Sequence, residues 1–131
     1  MKINNLVKEI HENAVKHGWW DEERTFGETI ALCHSELSEA LEEYRDGKPE
    51  HYYDCYDIVC KGQSCNDCPE HIASAEQGYI DKPQGTSVEL IDCVIRIFDY
   101  LGKMGIDVEK TLLEKHNYNK TRPYRHGGKL L

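Results

Sequence analysis

The clearest structural signal lies in residues 25–45, which read TFGETIALCHSELSEALEEYR. Thr25 followed three residues later by Glu28 has the form of a capping box, which predicts that a helix starts here. The sequence DGKP at 46–49 predicts that the helix ends at about residue 45. The apolar residues of this helix recur at helical spacing and are expected to face the core: Ile30, Cys33, Leu37, Leu41 and Tyr44.

The same helix carries an acidic stripe beside the apolar one. Glu36, Glu39 and Glu43 are spaced i, i+3, i+7 and therefore share one face, about a third of a turn from the apolar residues. A second helix, expected over residues 87–103, repeats the design with Glu89 and Asp92 at i, i+3. Packed side by side, the two helices would bring four carboxylates together, the i, i+3 pair Glu36 and Glu39 and the pair Glu89 and Asp92.

Four neighbouring carboxylates require a counter-charge, because like charges raise each other's pKa and destabilise the fold. Mg²⁺ is a hard cation that prefers oxygen ligands and commonly bridges to substrate phosphates. The acidic stripes therefore predict metal-assisted cleavage of a phosphoanhydride. The alternative interpretation is solvated helix surface, since glutamate pairs at this spacing are common there.

Two further helices complete an all-α fold class with four main helices. Residues 3–17 have helical periodicity and end at Gly18, and Asp107 is positioned to cap a last helix that runs to about Asn119. The residues expected to face inward from the last two helices are Leu90, Val94, Ile97, Leu101, Leu112 and Leu113. Residues 1–131 are expected to form one domain, in which 49–85 is an irregular, cysteine-rich insertion between the second and third helices.

The chain has six cysteines, which fall into two groups. Cys33 and Cys93 lie in apolar-periodic stretches and are predicted to be core residues. The others have the spacing C-x4-C-x4-C-x2-C and are candidates for a structural Zn²⁺ site: Cys55, Cys60, Cys65 and Cys68. Two alternatives remain, an iron–sulfur centre on the last three of these and a loop of reduced thiols.

Composition excludes several classes of protein. The 131 residues include 16 basic and 24 acidic side chains, with a net charge of −8, which argues against binding to a nucleic-acid polymer through bulk charge. No apolar run reaches the roughly 18 residues of a membrane span, and the first residues lack a signal-peptide core. These features predict a cytoplasmic protein without a membrane partner.

The last seventeen residues are basic, in contrast to the rest of the chain. From Lys115 to Leu131 there are five lysines and arginines and no acidic residue. Lys115, Asn119 and Arg122 could reach one anionic group from the end of the last helix. A solubilising tail with favourable helix-dipole placement is the alternative. An acidic metal cluster together with a basic arm suits a polyphosphate ligand.

Three motifs, in this order, resemble the MazG-like branch of the all-α nucleoside triphosphate pyrophosphohydrolase superfamily, which also contains dimeric dUTPases and phosphoribosyl-ATP pyrophosphatase. The resemblance covers residues 1–48 and 86–131. The motifs are Glu36-Leu37-Ser38-Glu39-Ala40, then Glu89-Leu90-Ile91-Asp92, then Lys115-x-x-x-Asn119-x-x-Arg122-x-x-x-His126-Gly127-Gly128-Lys129.

This resemblance implies a four-helix MazG-like bundle and hydrolysis of a nucleoside triphosphate between the α and β phosphates, which yields a monophosphate and pyrophosphate. It implies Mg²⁺, with Mn²⁺ as a substitute, held by Glu36, Glu39, Glu89 and Asp92, with Glu39 orienting the attacking water. It also implies phosphate contacts from the basic end, namely Lys115, Asn119 and Arg122, and a homodimer or homotetramer in which one subunit completes its neighbour's site.

The chain departs from the family pattern at Ser35, where the family has its first glutamate, and in the length of the insertion. Two other functions therefore stay open. One is a non-catalytic, zinc-containing binding or redox-sensing module on the same scaffold. The other is the same chemistry on a phosphoribosyl or modified nucleotide. Trp19 or Trp20 could stack on a base, although packing in the core or an interface is the preferred interpretation of these large apolar side chains.

Overall fold

The computed structural model describes residues 2–54, 64–65 and 82–128. This part of the chain is mostly helical, as the sequence predicts. The helices are α1 (Ile3–Lys16), α2 (Phe26–Arg45), α3 (Thr86–Lys103), α4 (Val108–Lys120) and the single turn α5 (Arg125–Gly128). The strands are β1 (Tyr52–Asp54), β2 (Ser64–Cys65) and β3 (Pro83–Gln84). Among the described helices, none combines the length and apolar character that crossing a bilayer would need.

The helix ends lie where local signals in the sequence predict them. The Thr25 hydroxyl accepts from the Glu28 backbone N–H at 3.2 Å, and the Glu28 carboxylate accepts from the Thr25 backbone N–H at 2.7 Å, which completes the capping box of α2. Asp107 accepts from the Lys110 N–H at 3.0 Å and caps α4. Gly18 adopts a φ of +80° just after α1, a conformation that glycine reaches without strain.

The chain divides into two compact units, Met1–Glu23 with Phe98–Leu131, and Arg24–Ile97, which we call unit 1 and unit 2. Unit 1 contains α1, the end of α3, α4 and α5. Within it, the Asn4 amide donates to Asp107 Oδ1 at 2.8 Å and accepts from the Glu109 N–H at 3.0 Å, which ties α1 to the start of α4.

Unit 2 contains α2, the first three turns of α3 and a small antiparallel sheet with strand order β2-β1-β3. No strand was expected from the sequence, because strands of two or three residues are too short to show an alternating pattern. Tyr52 is buried, and its hydroxyl donates to Glu43 Oε2 at 2.9 Å, which attaches the sheet to α2. Most of the predicted insertion at 49–85 lies outside the described residues.

The buried face of α2 is adjacent to the one that the apolar pattern predicts. The residues buried on it are Thr29, Cys33, Glu36 and Ala40. Cys33 was predicted correctly, but the large apolar residues of the stripe are exposed, with 40% to 74% of their surface accessible: Ile30, Leu37, Leu41 and Tyr44. Helical periodicity identifies an apolar stripe without saying whether the same chain covers it. In unit 2 the small residues face the neighbouring helix.

The inward faces predicted for α3 and α4 are largely wrong for the same reason, although Leu101 of α3 is half-buried. On α3 the buried residues are Glu89, Cys93 and Asp99, whereas Leu90, Val94 and Ile97 are 37% to 46% exposed. The prediction that Cys93 is a core residue is confirmed. On α4 only Val108 is buried, and Leu112 and Leu113 are more than half exposed.

Candidate metal centre

Three carboxylates from two helices of unit 2 converge on one point. Glu36 on α2 and Glu89 and Asp92 on α3 each offer one oxygen, and these three oxygens lie within 4.8 Å of one another. Glu36 and Glu89 are each only 7% exposed, and Asp92 is half-buried. The spacing predicts that Glu36, Glu39, Glu89 and Asp92 come together. Three of these four acids do, and Glu39 lies outside the group.

The start of α3 is fixed by a close backbone approach. Gly85 has a φ of +111°, and a Cβ atom at this position would lie 2.6 Å from the carbonyl oxygens of Pro49 and Glu50. The Gly85 carbonyl accepts from the Glu89 N–H at 3.1 Å, so the first turn of α3, which carries Glu89, begins directly at this contact. Glycine is needed here because any side chain would collide with backbone.

The electrostatics of the cluster are unfavourable without a cation. Burial raises the pKa of Glu89, and the negative charges of Glu39 and Asp92 raise it further. Burial also raises the pKa of Asp92, to which the charge of Glu36 adds. Lys82 opposes both shifts. The pKa values of both groups are raised because their carboxyl groups lose water and have negatively charged neighbours. A bound divalent cation would offset this repulsion.

Arg96 lies beside the cluster and pairs with one of its members. Its Nε donates to Glu36 Oε1 at 3.0 Å, and the Glu36 side chain is 9% exposed. Arg96 follows Asp92 by one helical turn, and its charge lowers the pKa of Asp92, in opposition to the burial and repulsion described above. One oxygen of Glu36 is therefore already engaged by the protein.

The helices also meet through two free thiols next to the carboxylates. Cys33 on α2 and Cys93 on α3 are both buried and unpaired. Burial raises the pKa of the Cys33 thiol, and the neighbouring Cys93 raises it further. Both residues pack as small apolar side chains.

The remaining predicted acids of α2 have different surroundings. Glu39 is exposed and lies outside the three-oxygen group, although its charge reaches Glu89. The Ser35 hydroxyl donates to Glu39 Oε1 at 3.3 Å. Glu43 binds the Tyr52 hydroxyl and so takes part in holding the sheet. Of the three acids in the stripe, Glu36 is buried, Glu39 lies at the edge of the cluster and Glu43 helps to hold the sheet.

The donor set fits a hard divalent cation. All three converging groups are carboxylates, which Mg²⁺ and Mn²⁺ prefer over softer ligands. Mg²⁺ binds oxygens at about 2.0–2.1 Å, so two oxygens on one ion lie about 3 to 4 Å apart. The observed separations of up to 4.8 Å require only a small closing movement. Glu36, Glu89 and Asp92 could therefore hold Mg²⁺, with Glu39 close by.

The other predicted site residues belong to unit 1 or to the cysteine-rich segment. Lys115, Asn119 and Arg122 belong to unit 1, and the Lys115 ammonium lies 5.2 Å from the centre of the Tyr118 ring. The predicted zinc ligands Cys55, Cys60 and Cys68 lie outside the described residues, and of Cys65 only the backbone, in β2, is described. The zinc site and the phosphate contacts stay predictions.

A second buried acid, which the sequence analysis missed, lies in unit 1. Asp99 is 6% exposed, and the Trp20 indole N–H donates to both its oxygens, at 2.9 and 3.1 Å. His11 Nδ1 lies 2.8 Å from Asp99 Oδ1, and the Lys103 ammonium lies 4.0 Å from the centre of the Trp20 ring. The available signal was that Asp99 follows Asp92 by seven residues on α3, but its partners are remote in sequence.

No family model matches this chain, and no curated protein or solved structure matches it either. The assignment of the site therefore rests on the convergence of the three carboxylates and on the order of the motifs that resemble the MazG-like branch.

Proposed function

We propose that the chain is a Mg²⁺-dependent nucleoside triphosphate pyrophosphohydrolase of the MazG-like type. The observation that carries the proposal is the convergence of Glu36, Glu89 and Asp92 within 4.8 Å. These residues come from two motifs that are separated by more than a third of the chain, and they are three of the four ligands that the resemblance implies. Chance surface acids would have no reason to be buried together.

In this proposal the three converging carboxylates hold the metal, and Glu39 acts at the edge of the site. When bound, the metal would polarise the phosphoryl oxygens and lower the pKa of a coordinated water. Glu39 is exposed to solvent, and the Ser35 hydroxyl contacts one of its oxygens, so its other oxygen is able to accept a hydrogen bond from the attacking water. The products are a nucleoside monophosphate and pyrophosphate.

The basic end of the chain is proposed to contact the phosphates. Lys115 and Asn119 are one helical turn apart on α4, and Arg122 follows just after the helix ends, so the three are spaced i, i+4, i+7. A positive group near the phosphates would stabilise the negative charge that develops during cleavage. Substituting Lys115 or Arg122 by alanine is therefore expected to lower kcat as well as to raise KM.

Self-association is proposed from the exposed stripe on α2. Ile30, Leu37, Leu41 and Tyr44 are separated by seven, four and three residues, which is the spacing of a helix that packs against another helix. Large apolar residues in a continuous exposed stripe mark an interaction surface. A second copy of this chain is the proposed partner, which agrees with the homo-oligomer that the resemblance implies.

The reaction is tested by incubating the purified chain with canonical and modified nucleoside triphosphates and Mg²⁺, while pyrophosphate and orthophosphate are assayed separately. The proposal requires pyrophosphate release that stops when EDTA is added. Orthophosphate as the first product would contradict the proposed cleavage position. A phosphoribosyl nucleotide included in the panel tests the alternative substrate class.

The site is tested by Glu39→Gln, which is expected to abolish turnover and leave the fold intact. The matched control is Glu42→Gln, because Glu42 is an exposed glutamate of the same helix and lies outside the three-oxygen group. Normal turnover by Glu39→Gln would refute its role. If the folded, metal-loaded chain hydrolysed nothing in the panel, the non-catalytic zinc-containing or redox-sensing module would become the preferred function.

A further inference from the structure

We propose that Arg96 is a positioning residue that sets the charge of the metal centre and restricts Glu36 to one metal-binding oxygen, and so favours Mg²⁺ and Mn²⁺ over Ca²⁺. This inference rests on the proposed function, because it concerns the same carboxylates. It concerns how the centre selects its ion, which the resemblance does not address.

The first argument is charge. The three converging carboxylates carry up to three negative charges, and the Arg96 guanidinium pairs directly with Glu36 at 3.0 Å. Arginine stays protonated at all ordinary pH values. The buried set of four groups therefore has a net charge near −2, which one divalent cation neutralises. Without Arg96 the same set would attract divalent cations more strongly and would repel itself more strongly without them.

The second argument is geometry. Arg96 Nε donates to Glu36 Oε1, so a metal at Oε1 competes with this hydrogen bond and coordination through the other oxygen is favoured. The Glu36 side chain is 9% exposed, which restricts its alternative rotamers. The planar guanidinium also fixes the direction of the hydrogen bond, whereas a lysine ammonium would supply only a point charge. Glu36 is thus held as a monodentate ligand.

Monodentate coordination discriminates between ions. Mg²⁺ needs octahedral geometry at about 2.0–2.1 Å and usually keeps several waters, so a few monodentate carboxylates suit it. Ca²⁺ takes 6–8 oxygens at about 2.3–2.6 Å and commonly uses a carboxylate in bidentate fashion. A centre in which Arg96 occupies one oxygen of Glu36 offers Ca²⁺ fewer ligands than it prefers.

The test is metal binding by the full chain without nucleotide. The affinity for Mn²⁺ is measured by electron paramagnetic resonance of the free ion, and the affinities for Mg²⁺ and Ca²⁺ follow from competition with Mn²⁺. Arg96→Lys keeps the charge and loses the directed bond. We expect its Mg²⁺ affinity to stay within about threefold of wild type and its Ca²⁺ affinity to rise by about fivefold or more.

Arg96→Gln removes the charge as well, and we expect it to bind both ions roughly tenfold more tightly. Arg45→Gln is the matched control, because it changes the net charge equally from an exposed position at the end of α2, and it should bind like wild type. If Arg96→Gln does not fold, Arg96→Lys alone tests the role of Arg96, because we expect this variant to change the selectivity between Mg²⁺ and Ca²⁺ while the net charge stays the same.

The outcomes separate this inference from the proposed function. Wild type that binds no divalent cation overturns the metal centre and the role of Arg96 together. Wild type that binds Mn²⁺ but hydrolyses no nucleotide overturns the proposed reaction, while the selectivity of the variants still decides on Arg96. If Arg96→Lys keeps the Mg²⁺ to Ca²⁺ ratio, or if all affinities fall together with thermal stability, then Arg96 has only a structural role.

Discussion

The two units of the chain each bury acidic side chains, and they stabilise them in opposite ways. In unit 1, Asp99 lies against the Trp20 indole N–H and His11 Nδ1, so its own chain supplies the partners. In unit 2, Glu89 and Asp92 lie among other carboxylates, and their pKa values are raised by burial and by like charges. Asp99 thus has partners within its own unit, whereas Glu89 and Asp92 have like-charged neighbours, which is the arrangement from which the metal centre is proposed.

The largest difference between the two units is expected when Asp92 and Asp99 are each replaced by asparagine. Asp92→Asn is expected to reduce nucleotide hydrolysis by at least about 100-fold, because a metal ligand is lost. Asp99→Asn is expected to lower the free energy of unfolding by about 2 to 3 kcal/mol, since hydrogen bonds to a charged acceptor become bonds to a neutral one. Steady-state kinetics and chemical denaturation measure the two effects.

The same two variants also test, in metal-free protein, whether the acids of the two units change stability in opposite directions. Asp92→Asn removes a repulsive charge and is expected to leave the metal-free chain at least as stable as wild type, whereas Asp99→Asn destabilises it. If Asp92→Asn destabilised the metal-free chain as much as Asp99→Asn does, the carboxylates of unit 2 would be structural too, and the distinction between the units would fail.

The pH dependence of metal stabilisation is a second test. Folding raises the pKa values of Glu89 and Asp92 above their ordinary 4.5 and 3.8, so the folded state binds protons more tightly than the unfolded state does. Their contribution to stability is therefore complete below these ordinary values and is lost as the pH rises through the raised ones. The groups that act on them are Glu36, Glu39, Lys82 and Arg96.

Added Mg²⁺ should then raise the Tm more at about pH 7 than at about pH 5, because at the lower pH protons compete for the same oxygens. Thermal unfolding in buffers of equal ionic strength measures this difference, which should disappear in Asp92→Asn. A Tm increase of equal size at both pH values would mean that Mg²⁺ stabilises the chain at some other place.

Self-association tests whether the two stripes of α2 have different roles. The stripe of α2 that holds Glu36 is covered within the chain, whereas the stripe that holds Leu37 and Leu41 is exposed. Leu37→Glu is expected to shift the chain to monomer, as measured by light scattering after size exclusion. Ala31→Glu adds the same charge at an exposed position outside the stripe and should keep the wild-type mass. A monomeric wild type would refute the proposed partner.

Much of the fold follows from short-range signals in the sequence. The capping box at Thr25, the glycine at 18 and the cap at Asp107 place the helix ends within about two residues of the observed ones. The convergence of Glu36 with Glu89 and Asp92 also follows from spacing, because two i, i+3 patterns that face each other can meet in only a few registers.

Other features could not be predicted, because they depend on contacts remote in sequence. Spacing identifies the apolar stripe of α2 but cannot show that a different stripe, rich in small residues, faces α3. Asp99 and His11 are 88 residues apart, and no local pattern links them. The strands around Tyr52 are too short for alternation to be visible. The first two of these failures concern which surfaces meet, and the third concerns which short strands form.

The smallest expected effect is at Ser35, where the chain departs from the family pattern. Its hydroxyl donates to Glu39 Oε1 at 3.3 Å from an exposed position, and a long, solvent-accessible hydrogen bond contributes little. Ser35→Ala is therefore expected to change kcat by less than about threefold and to leave the affinity for Mn²⁺ unchanged. A much larger loss of kcat at constant Mn²⁺ affinity would show that the hydroxyl orients Glu39. Ser35 would then contribute to the reaction from the position where the family has its first glutamate. A parallel loss of Mn²⁺ affinity would instead place Glu39 among the ligands, and would extend the buried cluster of unit 2 to the four acids that the motifs imply.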